Sequence, residues 1–350
     1  MKIRTKLFLT FLFISSLTNA QIKTCDCGKD FDFLATSFIK DYSGIQDFSK
    51  LNPEYLQTIE KLSKKAKSVK DIKSCDKIIG KLITYINNGH VVYGKTKENP
   101  LNGKGKSKHS QGSLDPTLKF LDNKTVLFQI KTCDLSYKNI LDSLVSINKT
   151  KLDKTEHFIL DLRGNEGGGD STFDTIIPYL YTNPILIHTA QLWSSENNIK
   201  MFDEFLNNPE IPAESKLHIQ KIVTNAKNNP NTFVPLSENK VDTLIINSVS
   251  EFPKKVSIII DSDCKSSTEQ FLLLAKQSKK TTIFGYTNSG GALDYSNLNF
   301  ILTPSGYWYA SVPTTRTTRL PENPVDPNGI KPDVLVDKKV KDIIQWIKNK

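Results

Sequence analysis

The sequence predicts an α/β protein with a mainly parallel sheet at its core, preceded by a small N-terminal helical domain. Three observations carry this. Apolar runs at 125–130, 158–162, 256–260 and 281–285 alternate with amphipathic stretches, and apolar strands spaced by helices belong to sheets buried on both faces. Residues 29–90 carry Phe31, Leu34, Phe38, Ile59, Leu62, Ile78, Ile79, Leu82 and Ile86 at near-helical spacing. Two of the apolar runs lead into short turns that open helices, the strand–turn–helix arrangement of a parallel core.

Taken in order, Lys2, Arg4 and Lys6 precede an apolar run at 7–17, and Ala20 supplies a small residue for cleavage. Residues 1–20 therefore read as a signal peptide, since a membrane span needs about 20 apolar residues. The expected location is secreted or periplasmic, with no membrane span after signal removal. Export permits disulfides. Of five cysteines, Cys25, Cys27, Cys75, Cys133 and Cys264, at least one stays unpaired. A bond from Cys25 or Cys27 to Cys75 and a set of free, buried thiols are both open.

The helical domain spans 21–93 and ends at Asn87-Asn88-Gly89-His90. A Gly-, Lys- and Ser-rich stretch at 94–117 reads as a flexible linker. Residues 118–350 form the core, interrupted at 190–246 by a polar, Asn-rich insertion with helical pieces at 201–206 and 216–223 that could cap a cleft. Strand-like pieces follow from 298, then a proline-punctuated run at 321–332 and a terminal helix at 339–347.

The net charge of +10 drops to +7 once the three signal-peptide cations are removed. The surplus is scattered Lys with no Arg-rich, aromatic-interleaved face, which argues against nucleic acid as a partner. No Cys/His spacing suits zinc and no phosphate-loop or dinucleotide fingerprint occurs, so no metal or organic cofactor is expected.

Two segments carry chemistry. In Asp161-Leu162-Arg163-Gly164-Asn165-Glu166-Gly167-Gly168-Gly169-Asp170 a buried strand enters a turn with three consecutive glycines. Such a turn presents backbone N–H groups to an anion, a phosphate or a developing oxyanion. In Asp261-Ser262-Asp263-Cys264-Lys265-Ser266-Ser267-Thr268-Glu269 an apolar strand ends and hydroxyl residues open a helix. Locally, Ser266 or Ser267 reads as an N-cap with Glu269 completing a capping box; functionally, Ser266 sits where a helix dipole and the next N–H stabilise an attacking oxygen.

These segments resemble the C-terminal processing (tail-specific) protease family of serine peptidases. The chain at 159–168 is similar to the family's I-L-D-L-R-x-N-x-G-G segment, 266–271 to its S-x-x-E-x-F nucleophile segment, and 329–333 to its G-I-x-P-D signature, while 285–291 stands where the family has G-E-x-T-x-G. The resemblance covers about 125–336. It implies a ClpP/crotonase-like core, a peptide or protein substrate, and Ser266 as nucleophile. The Lys that serves many members as base is replaced by Gly291. The tricorn-core branch uses His, which makes His90 in Asn88-Gly89-His90-Val91 the candidate base; a neutral imidazole suits that task. The same branch implies an orienting acid, Asp326 first and Glu322 second, and an oxyanion hole from the amides of Gly167 or Gly168 and of Ser267. Nothing between the helical region and the core is long enough for the PDZ module many members carry. The expected function is an exported serine peptidase. The alternatives are a catalytically inactive binding protein for an apolar ligand or peptide on the same scaffold, and a crotonase-like acyl-group enzyme. Oligomeric state stays open.

Overall fold

The structure, a computed structural model, describes residues 26–96, 113–209 and 211–350. The signal-peptide reading of 1–20 and most of the 94–117 linker lie outside the described residues. Among the described residues no helix is long and apolar enough to cross a membrane.

Among the described residues the first elements are four helices: α1 (Cys27–Asp41), α2 (Ile45–Leu51), α3 (Tyr55–Ser68) and α4 (Ile72–Ile86). Asp26 and Asp71 cap α1 and α4 by accepting the N–H groups of Lys29 and Ser74. Helix α4 stops at Asn87, which adopts the left-handed conformation that Asn tolerates at a helix end and turns the chain toward His90. Next come β1 (Tyr93–Lys95), β2 (Thr117–Phe120), β3 (Thr125–Gln129), α5 (Lys138–Leu152), β4 (His157–Asp161), α6 (Ile177–Leu180), β5 (Ile185–His188) and β6 (Ala190–Trp193). They are followed by α7 (Glu196–Phe205), α8 (Ala213–Asn228), β7 (Phe233–Pro235), β8 (Val241–Leu244), β9 (Lys255–Ile260), α9 (Ser267–Ala275), β10 (Thr281–Gly285), β11 (Tyr295–Leu302), β12 (Trp308–Thr317), β13 (Val334–Leu335) and α10 (Ile343–Lys348).

The main sheet runs in the order β13-β10-β9-β4-β3-β2. Its pairs are parallel except the edge hairpin β2–β3. Strands β4 and β9 are buried along almost their whole length, and Phe158, Leu160, Ile258 and Ile260 enter one core with Phe173 and Phe271. This is the mainly parallel α/β core that the apolar runs predict.

A second, antiparallel sheet orders β1-β12-β6-β7, with β11 along the other edge of β12. Trp308, Ala310 and Val312 of β12 belong to the same buried cluster as Phe31, Leu34, Phe38, Ile79 and Leu82. The N-terminal helices therefore share their core with a late strand, and β1, read from sequence as the start of a linker, is paired to that strand. The 190–246 segment builds β6 and β7 into this sheet and packs α7 on α8 over them.

Cys27 and Cys75 form a disulfide across 48 residues, tying α1 to α4, whereas Cys133 and Cys264 are free and buried. Closing a loop of that length removes about 4 kcal/mol of unfolded-chain entropy. Cys75→Ser is accordingly expected to lower the Tm by several degrees. Calorimetry checks this, and an unchanged Tm contradicts it.

Candidate active site

Strands β4 and β9 lie side by side in the sheet, so the turns leaving them are neighbours. The Gly164 amide donates to Asp261 Oδ1 (3.1 Å), bridging the two strand ends. Asp161 is buried at the end of β4 and holds the Arg163 guanidinium through two bonds of 2.8 Å. That charge pairing keeps the Asp161 carboxyl below the usual carboxylate range despite burial.

Asn165, fully buried, shapes the glycine turn. Its Nδ2 donates to the Ile130 carbonyl (3.0 Å), its Oδ1 accepts the Gly167 amide (3.0 Å), and its carbonyl accepts the Lys265 amide (3.2 Å) and Thr268 hydroxyl (3.1 Å). Gly167 has φ +95°, and a Cβ there would lie 2.7 Å from Ser266 Cβ and 3.1 Å from Ser267 N. The turn thus closes directly over the candidate nucleophile, and only glycine permits that approach. Ser267 Oγ ties it down by donating to the Gly168 carbonyl (2.8 Å).

This geometry divides the expected oxyanion donors. The Gly167 amide is committed to Asn165. The amides of Gly168 and Ser267 make no hydrogen bond among the described residues. Those two are the N–H groups left to receive an anion.

Ser266 begins α9 with φ +56° and ψ −125°. The capping-box pattern with Glu269 is present, but an ordinary N-cap has extended backbone. A serine held at positive φ on a strand-to-helix turn costs of order 1–3 kcal/mol and is the posture of an exposed nucleophile. Two contacts hold it: the Ser266 amide donates to the Ala292 carbonyl (3.0 Å) and to Glu269 Oε2 (3.3 Å). Glu269, fully buried, also accepts the Ser289 hydroxyl (2.5 Å) and the amides of Gly291 (2.8 Å) and Ala292 (2.8 Å). It pins the 289–292 loop beneath the start of the helix.

Gly291 has φ +67°, and a Cβ there would meet the Pro327 carbonyl at 2.3 Å. Backbone fills the place from which a lysine at this position would extend. The imidazole arrives from elsewhere. Gly89 packs on Ala292, where an added Cβ would come within 2.5 Å of the alanine Cβ. Ala292 is therefore the shared neighbour of the His90 and Ser266 segments.

The His90 amide donates to Asn88 Oδ1 (3.0 Å), its carbonyl accepts the Ser311 hydroxyl (2.6 Å), and its ring Nδ1 lies 2.5 Å from the Tyr295 carbonyl. A carbonyl only accepts, so Nδ1 carries the proton and Nε2 keeps its lone pair. Burial lowers the His90 pKa below its ordinary value, the Tyr295 carbonyl opposes this, and the nearby Lys265 charge adds to the lowering. Burial thus favours the neutral ring. No hydrogen bond joins it to Ser266 among the described residues; unliganded sites are often this loose.

Asp326 does not touch the imidazole. Its Oδ1 accepts the amides of Leu293 (2.6 Å) and Asp294 (3.0 Å), and its Oδ2 accepts Asn88 Nδ2 (3.2 Å). Asp294 answers by accepting the amides of Val325 (2.7 Å) and Asp326 (2.8 Å) and pairing with Arg319 (2.9 Å). Burial and the Asp294 charge push Asp326 up to about 7. Asp326 therefore meets the His90 segment indirectly, through the Asn88 side chain and the 293–294 main chain, and the partner of Nδ1 is a main-chain oxygen. Glu322 is exposed on the surface. Among the described residues no three His, Cys, Asp or Glu side chains are grouped as a metal site.

The family model for peptidase family S41 matches residues 125–336, which spans the parallel strands of the main sheet and the Gly167, Ser266, Glu269 and Asp326 positions. The chain belongs to peptidase family S41, the C-terminal processing proteases. Its S41 fold is also seen in solved structures. Mature CPAF aligns with TM-score 0.60 at 10% identity over 88% of this chain and 92% of that one. A lipoprotein from Streptococcus agalactiae aligns with TM-score 0.51 at 12% identity over 93% and 97%. At such identities these likenesses concern the fold alone. A search of curated protein sequences finds no match.

Proposed function

We propose that this S41 member is an exported serine peptidase that cleaves peptide bonds by acyl transfer, with Ser266 as nucleophile and His90 as base. The observation that carries the reading is the tautomer of His90. The Tyr295 carbonyl takes Nδ1–H and leaves Nε2 free to accept a proton, in a segment that shares Ala292 with Ser266. Export is supported by the charged, apolar N-terminal pattern and by the Cys27–Cys75 bond, which suits an oxidising compartment.

In the proposed reaction the Ser266 Oγ–H proton passes to His90 Nε2 as Oγ bonds to the scissile carbonyl carbon. The carbonyl oxygen becomes an oxyanion held by the Gly168 and Ser267 amides. The C–N bond then breaks and the leaving amine takes the proton from His90. Water, deprotonated by the same ring, releases the acyl group from Ser266. Asp326 acts at one remove, fixing Asn88 and thereby the main chain of His90.

Fluorophosphonate treatment tests the reading: covalent labelling at Ser266 is expected, and an unlabelled protein supports the passive-binder alternative. The rate of labelling should depend on pH in a defined way. Only neutral His90 accepts a proton, and its pKa lies below 6.5. The rate should be flat above pH 7 and fall about tenfold per unit once the ring protonates, with a midpoint below 6.5 that persists in Asp326→Asn. A midpoint above 6.5 contradicts the assignment.

A further inference from the structure

Beside the base lies a cleft of about 670 Å3 that neither Ser266 nor His90 lines. Its lining includes Phe48 and Leu51 of α2, Tyr42, Tyr85, Tyr295 and Pro321. That volume falls within the range of about 300–1,000 Å3 typical of ligand pockets, and apolar surface exceeds polar surface in it.

Three features mark it as a site for a ligand. The first is continuity with the catalytic geometry. Tyr295 and Asn88 both line the cleft, and they are the residues whose carbonyl and side chain hold His90. The cleft therefore opens one residue away from the base. The second is a hydroxyl with no protein acceptor. Tyr42 lines the cleft and packs on the Tyr295 ring at 5.6 Å between centroids, and its O–H makes no hydrogen bond among the described residues. That O–H can donate to a ligand carbonyl. The third is Leu51, which borders the cleft while 83% exposed.

The charges present are already matched. Asp47 accepts the Tyr295 hydroxyl (2.9 Å) and faces Lys50 (3.5 Å) and Arg316 (3.8 Å), while Asp326 is taken up by two amides and Asn88. Nothing in the cleft calls for an ionic ligand.

We propose that this cleft is a subsite for a short apolar or aromatic segment of the peptide substrate flanking the scissile bond, with a main-chain carbonyl of that segment accepting the Tyr42 hydroxyl. The proposal rests on the peptidase reading above and gives it a substrate class, peptides with bulky apolar residues next to the cleaved bond.

Its test uses Ser266→Ala protein, which binds without turnover, and fluorescence anisotropy with two fluorescein-labelled peptides, Ala-Ala-Phe-Leu-Ala-Ala and Ala-Ala-Ser-Ser-Ala-Ala. The apolar peptide should bind at least tenfold more tightly. Adding Leu51→Glu, at a position exposed enough to leave folding intact, should abolish that preference, and Tyr42→Phe should weaken binding several-fold. Equal affinity for the two peptides, or a preference indifferent to Leu51→Glu, overturns the proposal. Fluorophosphonate labelling of the Ser266 protein is read separately. A chain that is labelled but shows no apolar preference loses the subsite alone; one that prefers the apolar peptide through Leu51 but is never labelled keeps the subsite and loses the peptidase reading. Dimerisation that Leu51→Glu dissolves, with a flat peptide response, assigns the cleft to a second copy and also overturns the proposal.

Discussion

Ser266→Ala is expected to abolish fluorophosphonate labelling and to remove at least about a thousandfold of peptide hydrolysis, the scale on which covalent catalysis depends on its nucleophile. The protein should remain folded. Alanine tolerates the positive φ at this position no worse than serine does, and losing one cap oxygen costs about 1 kcal/mol. His90→Ala should reduce hydrolysis about a hundredfold to ten-thousandfold, the range for removing a general base. It should also erase the acid limb of the pH profile, because among the described residues no other imidazole occupies the site. His157 is held at about 4 by burial and is bonded to Ser257 Oγ on the main sheet, far along the strand from the turn. Active-site titration and steady-state kinetics on the two variants check these outcomes. Hydrolysis that survives Ser266→Ala sinks the mechanism; hydrolysis that survives His90→Ala while Ser266 remains essential sinks only the base assignment and turns attention to Lys265.

The parallel core was legible because its signal is one-dimensional. The runs at 125–130, 158–162, 256–260 and 281–285 are apolar enough to demand burial, and β3, β4, β9 and β10 follow them within a residue at either end. The antiparallel sheet was not legible, because β12 hides its burial. Ser311, Thr314, Thr315 and Thr317 are buried there, which contradicts a hydrophobic pattern until their partners are seen: Ser311 Oγ on the His90 carbonyl, Thr314 on the Asn297 carbonyl, and the Thr315 carbonyl receiving Ser43. Such long-range polar satisfaction leaves no periodic trace. The site divides the same way. Ser266 and the glycine turn stand in ordered motifs. The partner of His90 Nδ1 is a backbone oxygen, and any residue at 295 offers one, so no side-chain pattern could single it out. The spacing of Asp326 from the G-I-x-P-D segment marked it as a candidate acid, and nothing in the sequence marked Asn88, which lies between that carboxylate and the His90 main chain.

Glu269→Ala is the second large effect, and it separates two views of that residue. As half of a capping box alone, Glu269 would contribute about 0.5–2 kcal/mol. The structure gives it more to hold. Its carboxylate, with no solvent exposure, accepts the Ser289 hydroxyl and the amides of Gly291, Ala292 and Ser266. Removing it leaves at least three of these donors buried and unmatched, each costing about 1–3 kcal/mol. The sum, several kcal/mol, is a large part of a total stability of about 5–15 kcal/mol. A Tm drop of roughly 10 °C is expected, together with loss of Ser266 labelling, since the Ala292 carbonyl that holds the Ser266 amide rides on the released loop. Glu269→Gln keeps one accepting oxygen and should fall between. A fall of only about 1 kcal/mol in Glu269→Ala, with labelling intact, would show that the loop is held without the carboxylate, and that the posture of Ser266 comes from the glycine turn instead.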